Sequence, residues 1–213
     1  MMLEELAKAG HHSVEARILA EADATLAEHA ASSETVAILG SARWNVVVLQ
    51  EQSQIPASER LRQTQMYPAA RQLVGMVGKA GAQPMFFLTW TRRNGWPANG
   101  LVGYASMQSA VDDGYLVIAH DLHAAVAPVG YAWSAMLSEE RYSDRHAGLW
   151  RLDGSHPSVR GTYLAACVFY AAIFREAPIG LSYRAGLSVE EAARLQATAS
   201  KVVLGDYAKW GLR

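Results

Sequence analysis

Two short apolar runs, "WNVVVLQ" (44–50) and "PMFFLTW" (84–90), flank one long stretch of helical periodicity, "ERLRQTQMYPAARQLVGMVGKAG" (59–81). No other feature constrains the fold as strongly. Strand, helix and strand in that order lay the two strands parallel, because the connection is long enough to cross over the sheet. β-branched runs without alternation read as strands buried on both faces, as in a parallel sheet covered by helices. The pattern then continues. "YASMQSAVDDGYLVIAHDLHA" (104–124) is helical and "AAVAPVGYAW" (124–133) holds a third short strand. The run 157–176 is a helix with Pro157 in its first turn, and "SVEEAARLQATASKVVL" (188–204) is a last helix with Ser188 and Glu191 at capping-box spacing. Upstream, "VEARILA" (14–20) reads as a short strand and "TLAEHAASSETVAIL" (25–39) as a helix. Pro68 is expected to kink the 59–81 helix and Gly81 to stop it. The fold class expected is α/β, with a parallel sheet covered on both faces and functional groups gathered where strands exit into loops.

Length and composition narrow the functions. A chain of 213 residues suits a single domain, and with 51% hydrophobic and 18% charged residues it can bury a sizeable core. The net charge is −1, from 19 basic and 20 acidic residues, and no basic block recommends nucleic acid or an anionic membrane as partner. No apolar stretch reaches the ~18 residues of a membrane span, and no signal peptide is evident. The lone cysteine, Cys167, excludes an internal disulfide and a thiolate metal cluster, and its place in "YLAACVFYAAIF" suits a small buried hydrophobe. His120 and His123 lie one helical turn apart, but no third ligand stands at a telling spacing, so neither metal nor cofactor is expected. His11, His12, His29 and His146 form no pattern.

The residues best suited to chemistry are in "RLDGSHPS" (151–158). Asp153 and His156 are separated by a glycine-containing turn that lets the carboxylate reach one imidazole nitrogen. The other nitrogen is then left as a base. The plain alternative is that Asp153 and Ser155 cap the helix that follows. A second group, Gln50, Glu51, Gln52 and Ser53, sits where the first buried run empties into a loop. Amides placed there can donate to a developing oxyanion, or satisfy their own loop backbone. A third, Trp90 with Arg92 and Arg93, follows the second run and can line a pocket, or serve as one core tryptophan and surface arginines. A parallel sheet puts its strand exits on one edge, so the second and third groups are expected to share a pocket with His156.

In order along the chain, "WNVVVLQEQSQIP", "FFLTWTRRNG", "APVGYAW" and "LWRLDGSHPSVRGTYLAACVFYAAIF" resemble the SGNH (GDSL-like) hydrolases, closest to a bacterial branch with a "VVLQEQS" strand. The resemblance covers most of the chain. It implies a three-layer α/β/α sandwich with a flavodoxin-like parallel sheet, spanning 1–213 as a single domain. It implies serine-based hydrolysis of esters, often acyl groups on sugars or lipids, without a cofactor. His156 takes the place of the general base and Asp153 that of its orienting acid. The family's Gly-x-Asn-Asp segment falls on Gln50 to Ser53, giving Gln52 the place of the oxyanion-donating asparagine.

The chain departs from the family at three points. Gln52 is one methylene longer than asparagine. The second oxyanion segment falls on "EADATL" (21–26), which has no glycine, so Asp23 or Ala24 would serve by backbone. The Gly-Asp/Asn-Ser turn of the nucleophile and the first strand that carries it have no counterpart: "MMLEELAKAGHH" reads as the last turns of a helix, with Leu3, Leu6 and Ala7 on one face and Gly10 as its stop. The domain is therefore expected to be N-terminally incomplete. A late start codon, a truncated gene and a protein working without the serine all stay open, and an upstream segment could carry a signal peptide for a secreted or periplasmic protein. Ser53, at a strand exit, is the substitute nucleophile to weigh; Ser155 is too near His156 along the chain. The alternative to an ester hydrolase is a non-catalytic carbohydrate- or partner-binding domain that keeps the fold. A flavodoxin-like nucleotide binder is disfavoured because no glycine-rich phosphate loop follows a strand. The oligomeric state is not legible.

Overall fold

The computed structural model describes residues 1–139 and 148–212; His146 lies outside them. The chain forms two compact units, each built from separate segments. One comprises Met1–Arg17, Arg92–Asn94 and Ala127–Arg213, the other Ile18–Thr91 and Gly95–Val126.

The second unit carries the sheet. Strands β1 (Val46–Leu49) and β2 (Gln83–Phe87) pair in parallel, with Val46 opposite Gln83 and Leu49 opposite Phe86. β5 (Ala125–Ala127) is the other neighbour of β2, giving a three-stranded parallel sheet in the order β1-β2-β5. The α/β class expected from the alternating runs is therefore observed. β1, however, is not buried on both faces. It lies at the end of this order, and Val48 is 41% exposed. Between β1 and β2 the helical pattern resolves into α4 (Glu59–Leu61), a π-turn at Arg62–Met66 and α5 (Tyr67–Lys79). Pro68 stands in the first turn of α5, directly after the π-turn. It has no N–H, and its ring would meet the carbonyl four residues back in α geometry. Just upstream the helix widens, and the Tyr67 N–H donates to the carbonyl of Arg62, five residues back.

The 25–39 stretch is two helices, α2 (Leu26–Ala31) and α3 (Ser33–Gly40). Ser32 takes an extended conformation between them, and its hydroxyl accepts the N–H groups of Glu34 and Thr35. That local capping outweighs continuation of the helix. "VEARILA" forms no strand. The loop 91–100 contains part of a small hairpin, β3 (Gly95–Trp96) against β4 (Leu101–Val102), and leads into α6 (Gly103–Asp121). Met85, Phe86, Leu88, Met107, Val111 and Tyr115 are among the buried side chains of this unit.

The first unit is helical. α1 (Met2–Ala9) buries Leu6 and Ala7 and packs on α8 (Val159–Phe174). α7 (Val129–Glu139), which directly follows β5 and which the sequence pattern did not announce, packs on α8 as well. So does α9 (Val189–Leu204), opened by the expected Ser188–Glu191 capping box. Cys167 is buried inside α8, and burial pushes its thiol up to about 12. No helix among the described residues is long and apolar enough to cross a membrane.

Candidate functional site

The segment 149–158 is a tight hairpin. Ser158 N–H donates to the Leu149 carbonyl at 2.9 Å and Arg151 N–H to the His156 carbonyl at 2.8 Å, with Trp150 and Pro157 bridged between them. Pro157 is thus a hairpin residue, not the first turn of a helix. The helix begins two residues later, and its cap is Ser158, whose hydroxyl accepts the Gly161 N–H at 3.2 Å. Asp153 and Ser155 do not cap it. Trp150 is buried and meets Trp133 edge-on at 5.6 Å, anchoring the base of the hairpin. Gly161 allows that approach, because a Cβ there would lie 2.3 Å from the Leu149 carbonyl oxygen.

At the hairpin tip, both carboxylate oxygens of Asp153 are engaged. Oδ1 accepts the N–H groups of Ser155 and His156, each at 2.8 Å, and Oδ2 lies 2.9 Å from His156 Nδ1. The two backbone donors, followed by the imidazole, hold the Asp153 carboxyl down to about 2. The backbone bonds fix the carboxylate plane, and the carboxylate then orients the ring, leaving Nε2 as the free end. The turn requires Gly154 at φ +68°, a left-handed conformation that suits glycine. His156 and Asp153 side chains are 71% and 46% exposed, so the pair is open to solvent.

Arg93 braces this tip, a role the sequence reading missed. Its N–H donates to the Gly154 carbonyl at 2.8 Å, its Nη2 to the Arg151 carbonyl at 3.2 Å, and its guanidinium lies 5.7 Å from the Trp150 ring centre. A "TRR" after a strand carries no sequence signal for bracing a turn 58 residues away. Arg92, its neighbour, is half-buried.

The strand-exit group sits in the other unit. Gln50 is exposed. Glu51, expected among the pocket residues, is instead turned inward at 1% exposure. Its Oε1 accepts the N–H of Leu26 at 3.1 Å and of Gln52 at 2.8 Å, and its own N–H donates to Tyr115 Oη at 2.9 Å. Its Oε2 has no hydrogen-bond partner among the described residues. Burial raises the Glu51 carboxyl to about 7, outweighing the two N–H donors that favour the anion. Tyr115 was missed by sequence reading, although a tyrosine on a buried helix face generally needs a partner for its hydroxyl. Gln52 turns back on its own loop: Oε1 accepts the Gln54 N–H at 2.8 Å, and Nε2 reaches Gln54 Oε1 at 3.4 Å. Ser53 is half-buried in the same turn. In the other proposed donor segment, the Ala24 N–H is taken by the Glu21 carbonyl at 3.3 Å. Asp23 has φ +59°, the left-handed backbone that a glycine would otherwise supply and that aspartate tolerates. Trp90 is half-buried, its ring 6.0 Å from that of Phe87. His123 has φ +50° where α6 ends, its N–H on the His120 carbonyl, and no group of three or more His, Cys, Asp or Glu converges among the described residues.

No family model and no curated protein matches the chain. Two solved structures do. A DUF4886 family protein from Bacteroides uniformis ATCC 8492 superposes with a TM-score of 0.75, covering 96% of this chain and 89% of its own at 16% identity. A "putative SGNH hydrolase" from Slackia heliotrinireducens superposes with a TM-score of 0.62, covering 79% of this chain and 89% of its own at 29% identity. The parallel β1-β2-β5 sheet, the Asp153–His156 turn ahead of α8 and these likenesses agree on one architecture: the chain has an SGNH-like α/β fold.

Proposed function

We propose that this chain is the base-bearing part of an SGNH-type serine hydrolase that cleaves ester bonds, on a small acyl ester or a carbohydrate ester, through an acyl-enzyme. The family's nucleophilic serine has no counterpart among the residues of this chain. The observation that carries the reading is the 2.9 Å contact between His156 Nδ1 and Asp153 Oδ2, with the carboxylate pinned from its other oxygen by two backbone N–H groups. Such a carboxylate keeps the proton on Nδ1 and the lone pair on Nε2. Nε2 then takes the serine hydroxyl proton as Oγ attacks the ester carbonyl, and Asp153 stabilises the imidazolium that results. When the tetrahedral intermediate collapses, the C–O bond to the alcohol breaks and Nε2 returns the proton to the leaving oxygen. Water repeats the sequence on the acyl-enzyme, releasing the acid. Gln52 and the Asp23 turn are the oxyanion donors by resemblance to the family.

The test is a short-chain aryl ester assay on the 213-residue chain and on a chain extended upstream to include a Gly-(Asp/Asn)-Ser turn. The extended chain is expected to be active and the shorter one nearly inactive. His156→Ala should lower the extended chain's rate by about three orders of magnitude or more. Equal rates in both chains, lost on Ser53→Ala, would place the nucleophile at Ser53. No ester hydrolysis by either, with tight binding of sugar, would replace this reading by the carbohydrate-binding one.

A further inference from the structure

Glu51 joins two stretches of backbone that lie 25 residues apart. One oxygen, Oε1, accepts the first N–H of α2 (Leu26) and the first N–H beyond its own residue (Gln52). Its backbone N–H is held by Tyr115 of α6, so the residue is fixed at both ends. Thr25 caps the same helix start from outside, with its hydroxyl on the Glu28 N–H, and therefore leaves the Leu26 N–H to Glu51. The turn just ahead of Leu26 contains Asp23 in its left-handed conformation, and the residue just after Glu51 is Gln52. A leucine or methionine would fill this buried position without a desolvation penalty, and an acid there is costly unless its oxygens are used.

We infer that Glu51 is a positioning residue that locks the entry of α2 and the exit of β1 into one geometry, so that the Asp23 turn and Gln52 are presented as one rigid pair. The inference rests on the proposed hydrolase in one respect, that these two segments are where an oxyanion would be held; the lock itself does not depend on it. Two groups face the carboxyl from the elements around it: Glu28 of α2, whose charge disfavours ionisation, and the Tyr115 hydroxyl of α6. Neither bridges the two amides, so among the described residues Glu51 is the group that couples them.

The experiment is a pH titration of the 15N-labelled 213-residue protein by NMR, which needs no catalytic activity. The amide signals of Leu26 and Gln52 are expected to move together with a single midpoint near 7, the value to which burial raises this carboxyl. Glu51→Gln retains an Oε1 acceptor, so it should abolish the titration yet keep both amides as slow to exchange as in the parent. Glu51→Ala should speed exchange of both by about tenfold or more relative to the Phe86 amide in β2. Independent midpoints for Leu26 and Gln52, or a shared titration that persists in Glu51→Gln, would overturn the lock. If a variant fails to fold, the parent titration decides alone. Failure of ester hydrolysis in the assay above leaves this result intact, so the two readings fail separately.

Discussion

Replacing Glu51 by glutamine should flatten the dependence of stability on pH on the acid side of neutrality. Burial at 1% exposure lifts this carboxyl from 4.5 to about 7. The unfolded chain releases that proton near the ordinary glutamate value, whereas the folded protein holds it almost to neutrality. Between those two values the folded state binds more protons than the unfolded state, so the free energy of unfolding falls as pH rises. At roughly 1.4 kcal/mol for each pH unit of displacement, the loss from this one group is about 3 kcal/mol across the window. That is a large share of the ~5–15 kcal/mol typical of a folded domain. The carboxylates of Glu4, Glu28, Glu59, Asp153, Glu176 and Glu191 are all lowered by their partners. Their stabilisation is present above the ordinary carboxylate range and is lost only as pH falls below it, so it does not overlap the window of Glu51. The assay is urea unfolding of parent and Glu51→Gln in steps between about pH 4.5 and about pH 8, with equal m-values as the check on two-state behaviour. The parent should lose about 3 kcal/mol relative to the variant over that range. Parallel curves, within about 0.5 kcal/mol at every pH, would refute the reasoning, because they would mean the folded carboxyl ionises as freely as the unfolded one.

Further predictions concern the hairpin and its helix. Gly161→Ala places a Cβ 2.3 Å from the Leu149 carbonyl oxygen and 2.4 Å from the Trp133 ring. It should destabilise the protein by about 1–3 kcal/mol in a chemical denaturation series, and an unchanged midpoint would show that the hairpin base is looser than described. Ser158→Ala removes the cap of α8 and should cost about 1 kcal/mol, whereas Asp153→Ala should leave the far-ultraviolet helix signal unchanged; a helix loss in the latter would restore the capping role for Asp153. The Asp153 carboxyl should remain ionised down to about 2, and 13C NMR of its side chain reads this directly. Its contribution to stability is present above the ordinary aspartate range and lost as pH falls towards that value; a midpoint close to 4 would deny the three donors. In an active extended chain, Asp153→Asn should lower kcat by about three to four orders of magnitude with KM little changed, measured on an aryl ester.

What the sequence revealed, and what it concealed, follows from how local each signal is. β1, β2, α6 and the Ser188 cap were legible because periodicity and capping chemistry are written within a few residues. The contact of Asp153 with His156 was legible for the same reason: both lie on one turn, and a glycine between them allows it. The true start of α8 was concealed because Asp153, Ser155 and Ser158 are all good caps by type, and only the bonds from Ser158 N–H to the Leu149 carbonyl and from Arg151 N–H to the His156 carbonyl select the last. The inward turn of Glu51 was also concealed. "QEQS" reads as a polar loop, and burial of its central acid depends on Leu26 and Tyr115, which are distant in sequence. The bracing role of Arg93 was concealed as well, since its partners, the Gly154 and Arg151 carbonyls, belong to a hairpin that sequence alone did not outline.

The π-turn at Arg62–Met66 makes the helix between β1 and β2 a place where chain length and residue identity are coupled. A π-turn amounts to one residue more than an α-helix would use over the same rise, with the flanking α-segments left in place. Deleting a single residue there restores an α register, but it also brings the ring of Pro68 against the carbonyl that then lies four residues back. The deletion and Pro68→Ala are therefore not independent changes. Alone, the deletion should be costly and Pro68→Ala mild; together they should give a regular helix with Tyr67, Leu73 and Val77 still facing the core. Relatives of this chain that lack the proline are then free to be one residue shorter at this point, and those that keep it are not.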